Sequence, residues 1–127
     1  MCFGVRDAIN FARSKVAEHP ITVMGELVHN TSVLDDLKKR GVQFKDKPEQ
    51  VETKSAMITA HGASNRVRNR AKMAGLKISD ATCPLVHYAH QQLRKLADAG
   101  CHPIIIGRRG HVEVRGLTED LADYDVV

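Results

Sequence analysis

The sequence predicts an α/β fold: a mostly parallel sheet of about four strands sandwiched between helices, in a single lobe covering residues 1–127. Three observations carry that expectation. Short β-rich runs alternate with amphipathic helical stretches along the chain, the pattern of βαβ units. With 127 residues, 43% of them hydrophobic, the chain is long enough to bury one core. No internal repeat or low-complexity tract interrupts the alternation.

Taken in order, "VRDAINFARSKVAEH" puts Val5, Ala8, Ile9, Ala12 and Val16 on one helical face. Pro20 follows, and "ITVM" (21–24) reads as a buried strand. "TSVLDDLKKRG" reads as a capped helix with Val33, Leu34 and Leu37 inward, stopped by Gly41. "VQF" is a short strand, and "KDKPEQVETKS" a polar connection with one helical turn. "AMITA" (56–60) is the next strand, followed by a helix from about Ser64 to Ala74 and then by "LKISDA" as a strand.

Pro84 suits a first helical position, because its missing N–H has no partner there. From it a long helix is expected to reach Ala99, with Leu85, Ala89, Leu93 and Leu96 on the inward side. "PIIIG" (103–107) is the most strand-like segment of all, and "YDVV" closes the chain as a truncated strand.

Composition narrows the function classes. Lysine and arginine number 19 against 15 acidic residues, a formal charge of +4. That surplus accommodates anionic ligands, but without a basic stripe, and with no Trp and 4% aromatics, nucleic-acid binding is poorly supplied. No apolar run approaches the roughly 20 residues of a membrane helix. The opening "MCFGVRDAIN" lacks the basic start and apolar run of a secretory signal. Three cysteines, an odd number with no export signal, point to reduced thiols in a cytoplasmic setting.

In parallel α/β sheets ligands bind beyond the carboxyl ends of the strands. The connections expected there carry the reactive side chains: His29 in "GELVHN", His61 in "HGAS", Cys83 in "TCPLV", and His111 and Glu113 in "RRGHVEV". Cys2, in "CFG" ahead of the first helix, stands in the same relation to that helix if a strand precedes it. Cys83 opens a helix, where unpaired N–H groups and the dipole favour a thiolate that ligates soft metals or attacks electrophiles.

Blander readings apply elsewhere. His19, His87, His90 and His102 read as surface or cap residues, although His87 and His90 share a helical face that in principle holds a metal. Cys101 reads as a small buried hydrophobe. Arg66, Arg68, Arg70 and Lys72 read as a solvated surface, with the start of their helix available to an anion.

"CFGVRDAI", "ELVHN", "AHGAS", "DATCPLV" and "IIIGRRGHVEVRG" together resemble the successive motifs of the 4-hydroxy-3-methylbut-2-enyl diphosphate reductase family, in order from Cys2 to about Gly116. That resemblance implies an oxidoreductase of the non-mevalonate isoprenoid pathway. It would reductively dehydroxylate an allylic diphosphate to isopentenyl and dimethylallyl diphosphate, with ferredoxin or flavodoxin as electron donor. It also implies a [4Fe–4S] cluster held by three cysteines, two of them matched by Cys2 and Cys83. His29 and His61 match the histidines that grip the diphosphate, His111 one near the substrate hydroxyl, and Glu113 the proton-delivering carboxylate.

Residue chemistry agrees with these roles. Thiolates stabilise iron–sulfur clusters, and a carboxylate beside a leaving hydroxyl can serve as general acid. Family members are longer, with three related lobes around the cluster, and only the first is visible here. The family's opening strand is missing and its third cluster cysteine has no counterpart, since Cys101 falls at the wrong motif. Arg108 and Arg115 stand where many members carry His and Glu, which alters local charge. The chain alone is therefore expected to be inactive without the remaining lobes. The alternatives are a non-catalytic phosphate-ligand-binding module using His29 and His61, and a mononuclear zinc site using Cys2, Cys83 and one histidine.

Overall fold

The computed structural model describes residues 3–127, Phe3 by its backbone only. Helix α1 (Phe3–Glu18) leads into strand β1 (Thr22–Met24), helix α2 (Thr31–Lys39) and strand β2 (Gln43–Lys45). A 3-10 turn at Pro48–Gln50 precedes β3 (Ser55–Ile58), α3 (Asn65–Met73), β4 (Lys77–Asp80) and α4 (Pro84–Asp98). The chain then forms β5 (Ile104–Ile105), α5 (Val112–Thr118) and β6 (Asp125–Val126). The expected α/β architecture with a four-stranded parallel sheet is what forms, in the order β2-β1-β3-β4.

Alternation along the strands divides the core between two faces. Val23 and Met57 point to one side, where Ala8, Ile9 and Ala12 of α1 and Leu37 of α2 close over them. Met24, Ala56 and Ile58 point to the other, against Ala71 and Val67 of α3. Both strands are buried on both faces, as a central parallel strand requires. Polar Thr22 survives at 0% exposure because its hydroxyl pairs with that of Thr53 at 2.7 Å, and Thr53 in turn donates to the Ser55 carbonyl.

Helix ends follow local chemistry. Asn30 caps α2 through a bond from the Val33 N–H at 3.2 Å, and Ser64 caps α3 through one from Val67. Gly41, at φ 101°, ends α2 in the left-handed region, and the Val42 N–H reaches back to the Leu37 carbonyl.

Three expectations require correction. "PIIIG" yields only the two-residue β5, which pairs in parallel with β6 in a separate two-stranded sheet. A strand extends only as far as a partner accompanies it, and Ile104 and Ile106 remain largely exposed. The inward stripe of α4 is also displaced: Leu85 is 79% exposed and Leu96 51%. The side of α4 that meets the body carries Val86 and His90, which pack over Gly62. Finally, Cys101 is exposed, just past the end of α4, so it is no core hydrophobe.

Candidate functional site

The strand order fixes where a site belongs. From β1 the chain crosses by α2 to β2 on one side, whereas from β3 it crosses by α3 to β4 on the other. The reversal falls between β1 and β3, and the crevice beyond their carboxyl ends is the natural binding position of an open α/β sheet. His29 lies in the segment after β1 and His61 in the turn after β3.

These two histidines and His111 line one open cleft of about 840 Å³, together with Val5 of α1. The His29 side chain is 88% exposed and faces Glu26 at 3.7 Å. His61 is far more enclosed, at 21%, and its Nδ1 lies 3.1 Å from Oε1 of Glu113. Nδ1 therefore donates to the carboxylate, which leaves Nε2 free to face a ligand. His111 is the N-cap of α5, its Nδ1 accepting from the Glu113 N–H at 3.2 Å. The neutral ring must then carry its proton on Nε2. The structure thus brings together His29, His61, His111 and Glu113, drawn from three separate connections.

Cys83 is not on the wall of that cleft but adjoins it. As N-cap of α4 it donates its backbone N–H to the Ala60 carbonyl, one residue before His61. Its side chain packs on the first turn of α1: a Cβ on Gly4 would fall 2.8 Å from both Cβ and Sγ of Cys83. Gly4 is next to Val5 of the cleft, so the first turn of α1 touches both the thiol and the histidine cleft. Cys2 lies outside the described residues. Among the described residues no three His, Cys, Asp or Glu side chains are grouped to hold a metal. His87 faces Asp80 at 3.5 Å.

The sequence reading missed several supporting residues. His90, taken for a surface residue, has a buried Nε2 with no hydrogen-bond partner among the described residues. It lies 3.4 Å from where a Gly62 Cβ would be, under the turn that presents His61. Burial, then the nearby positive charges of Arg68, His87 and Arg94, lowers its pKa. Arg68 and Arg70 are not merely solvated: Arg68 holds Asp80 at 2.8 Å, and Arg70 pairs with Glu49. Desolvation works to raise the Asp80 pKa, but bonds from Thr82 and Arg68 outweigh it and the net direction is down.

The start of α3, expected to be open to an anion, is already filled. Asp120 accepts from the Asn65 N–H at 2.6 Å and from the Arg66 N–H at 3.0 Å, while the Ser64 hydroxyl donates to Glu119 at 2.6 Å. No local pattern announces a bond between residues 55 apart in sequence.

A LytB protein family profile matches residues 1–127. This chain belongs to the LytB family. Among curated relatives, 4-hydroxy-3-methylbut-2-enyl diphosphate reductase 2 of Burkholderia mallei is 43% identical over 118 residues, covering 91% of this chain and 36% of the relative. The reductase of Pseudoalteromonas atlantica is 42% identical over 127 residues, covering 98% of this chain and 40% of the relative. A solved structure, the E-1-hydroxy-2-methyl-but-2-enyl-4-diphosphate reductase from Plasmodium falciparum, superposes with a TM-score of 0.92 at 34% identity. It covers all of this chain and 41% of that one. The chain therefore spans well under half the length of these LytB relatives. Among its described residues no helix is long and apolar enough to cross a membrane.

Proposed function

We propose that residues 1–127 form the first lobe of a cytoplasmic 4-hydroxy-3-methylbut-2-enyl diphosphate reductase, which converts its allylic diphosphate substrate to isopentenyl and dimethylallyl diphosphate. The observation that carries this reading is the cleft at the β1–β3 switch point, where His29, His61 and His111 meet and Glu113 pairs with His61. His29 and His61 bind the diphosphate through ring N–H donors. The His61 Nδ1–H···Glu113 bond orients the ring so that Nε2 serves the ligand. His111, pinned at the start of α5, sets Glu113 beside the substrate hydroxyl, where the carboxyl group, protonated on the oxygen that His61 does not engage, supplies the proton as water leaves.

A [4Fe–4S] cluster supplies the electrons and a Lewis-acidic iron when bound, fed by ferredoxin or flavodoxin. Cys83 suits a cluster ligand: it opens a helix, and the missing Cβ of Gly4 leaves its sulfur room. Cys2 is the second ligand, and the third comes from a later lobe. With an incomplete thiolate set the chain alone has no meaningful turnover.

Anaerobic reconstitution with iron and sulfide tests this, read by visible absorbance and by turnover of the allylic diphosphate. The isolated chain is expected to form at most a labile cluster without turnover, whereas fusion to the remaining lobes of a relative restores activity that Cys83→Ser and Glu113→Gln abolish. Robust turnover by the isolated chain would sink the proposal. The competing reading, a phosphate-binding module without redox chemistry, predicts no iron uptake in the fusion and diphosphate binding indifferent to Cys83→Ser.

A further inference from the structure

The histidine cleft has a second cationic wall that those histidines do not account for. Arg108, in the loop between β5 and α5, and Arg115, one helical turn beyond His111 on α5, both line it. The spacing from 111 to 115 puts those two side chains on one face of α5.

These two arginines lack partners and line the cleft, whereas Arg66 and Arg94, whose guanidiniums are likewise unpaired among the described residues, lie outside it. Arg13 and Arg40 hold Asp36, Arg68 holds Asp80, Arg70 holds Glu49, and Arg109 donates to the Val126 carbonyl. The guanidiniums of Arg108 and Arg115 make no hydrogen bond or ion pair among the described residues. Nearby carboxylates are engaged elsewhere: Glu26 faces His29, Glu113 faces His61, and Glu119, four residues from Arg115, accepts from Ser64. Two always-charged groups are thus left facing the opening where three imidazoles converge. A guanidinium offers paired N–H donors that match two phosphate oxygens at once.

We propose that Arg108 and Arg115 are ligand-binding residues that grip the diphosphate end of the molecule bound in this cleft. The inference deepens the reading that the histidine cleft receives a diphosphate, and rests on it. The two arginines supply charge that no change of pH near neutrality removes, and give the site its preference for a diphosphate over a singly charged anion.

The test is calorimetric titration of the 127-residue chain with inorganic pyrophosphate, with acetate as a singly charged comparison. Arg108→Ala and Arg115→Ala are each expected to weaken pyrophosphate binding about tenfold, and the lysine variants to recover part of it. Arg94→Ala, an exposed arginine on α4, serves as control and changes nothing. Circular dichroism confirms that each variant is folded. If pyrophosphate binding depends on His61 but not on either arginine, this inference fails while the histidine reading stands. If binding needs the arginines but survives His61→Ala, the inference holds and the role given to His61 falls. Absence of pyrophosphate binding by the unmodified chain overturns both.

Discussion

Asp120→Ala removes one of the two carboxylates that seat the end of α5 against the start of α3, and its cost follows from the geometry. Two backbone N–H groups lose a charged acceptor, at 2.6 Å from Asn65 and 3.0 Å from Arg66. Ser64 keeps its bond from the Val67 N–H, so α3 retains its own cap. The freed N–H groups belong to exposed residues and water replaces the carboxylate, so no burial penalty is added. Loss of a capping acceptor costs about 1 kcal/mol, and loss of a negative charge at a helix start about 0.3–1 kcal/mol more. A total of about 1–2 kcal/mol is expected, read from the urea midpoint at unchanged slope. Asp120→Asn, which keeps one acceptor oxygen, is expected to lose roughly half as much. Asp35→Ala, an exposed acid of α2 with no partner among the described residues, stays within about 0.5 kcal/mol of wild type. If Asp120→Ala is no more costly than Asp35→Ala, the clamp is not a real constraint. The part assigned to Asp120 in holding the end of α5 on α3 then fails with it, leaving Glu119 and Glu113 as the carboxylates that join α5 to Ser64 and His61.

Two further outcomes follow from close approaches. Gly4→Ala should destabilise by about 1–3 kcal/mol in urea despite the better helix propensity of alanine, because the new Cβ falls 2.8 Å from Cys83. Since the Cys83 Cβ is as close as its sulfur, Cys83→Ala in the same chain should not relieve the strain, whereas Cys83→Gly should; equal recovery with both would refute this. His90 gives a pH dependence of known sign. Its folded-state pKa lies below the ordinary 6.5, so near and below that value the unfolded chain binds more protons. Stability from this residue is complete above about pH 6.5, declines as pH falls from there, and levels off below the folded pKa. His90→Gln should flatten that part of the urea midpoint against pH curve, and an unchanged slope would show that the buried ring is not its source.

Periodicity made most of the main sheet and its helices legible, because burying one face imposes the same repeat on every strand or helix. Val23 and Met24 show the limit of that logic. Both are apolar, as a strand covered on two faces requires, yet only the structure says that one meets α1 and α2 and the other α3. The convergence of His29, His61, His111 and Glu113 was legible through a topological rule rather than through local pattern, since strand-end loops share one rim wherever parallel strands align. Asp120, Glu119 and His90 were not legible. Each acts on a segment distant in sequence, and nothing at the level of neighbouring residues records that.

The misread elements share a cause. An apolar stripe says that a surface seeks cover, but not from what. In "PIIIG" and on the Leu85–Leu96 side of α4, strong signals correctly named a strand and a helix, yet Ile104, Ile106, Leu85 and Leu96 stay exposed in this chain. The contrast with α1 is instructive: its stripe finds Leu37 and Met57 inside the same lobe and is buried as expected. Hydrophobic pattern and hydrophobic burial therefore separate in the last third of the chain. There β5 pairs with β6 alone among the described residues, and α4 meets the body through Val86 and His90. The site lies at the seam between the well-covered portion and this open one: His29 and His61 come from the first, His111 and Glu113 from the second. That is why three carboxylates, Glu113 on His61, Glu119 on Ser64 and Asp120 on the Asn65 and Arg66 N–H groups, bridge the two portions 52 to 55 residues apart in sequence and hold the site together.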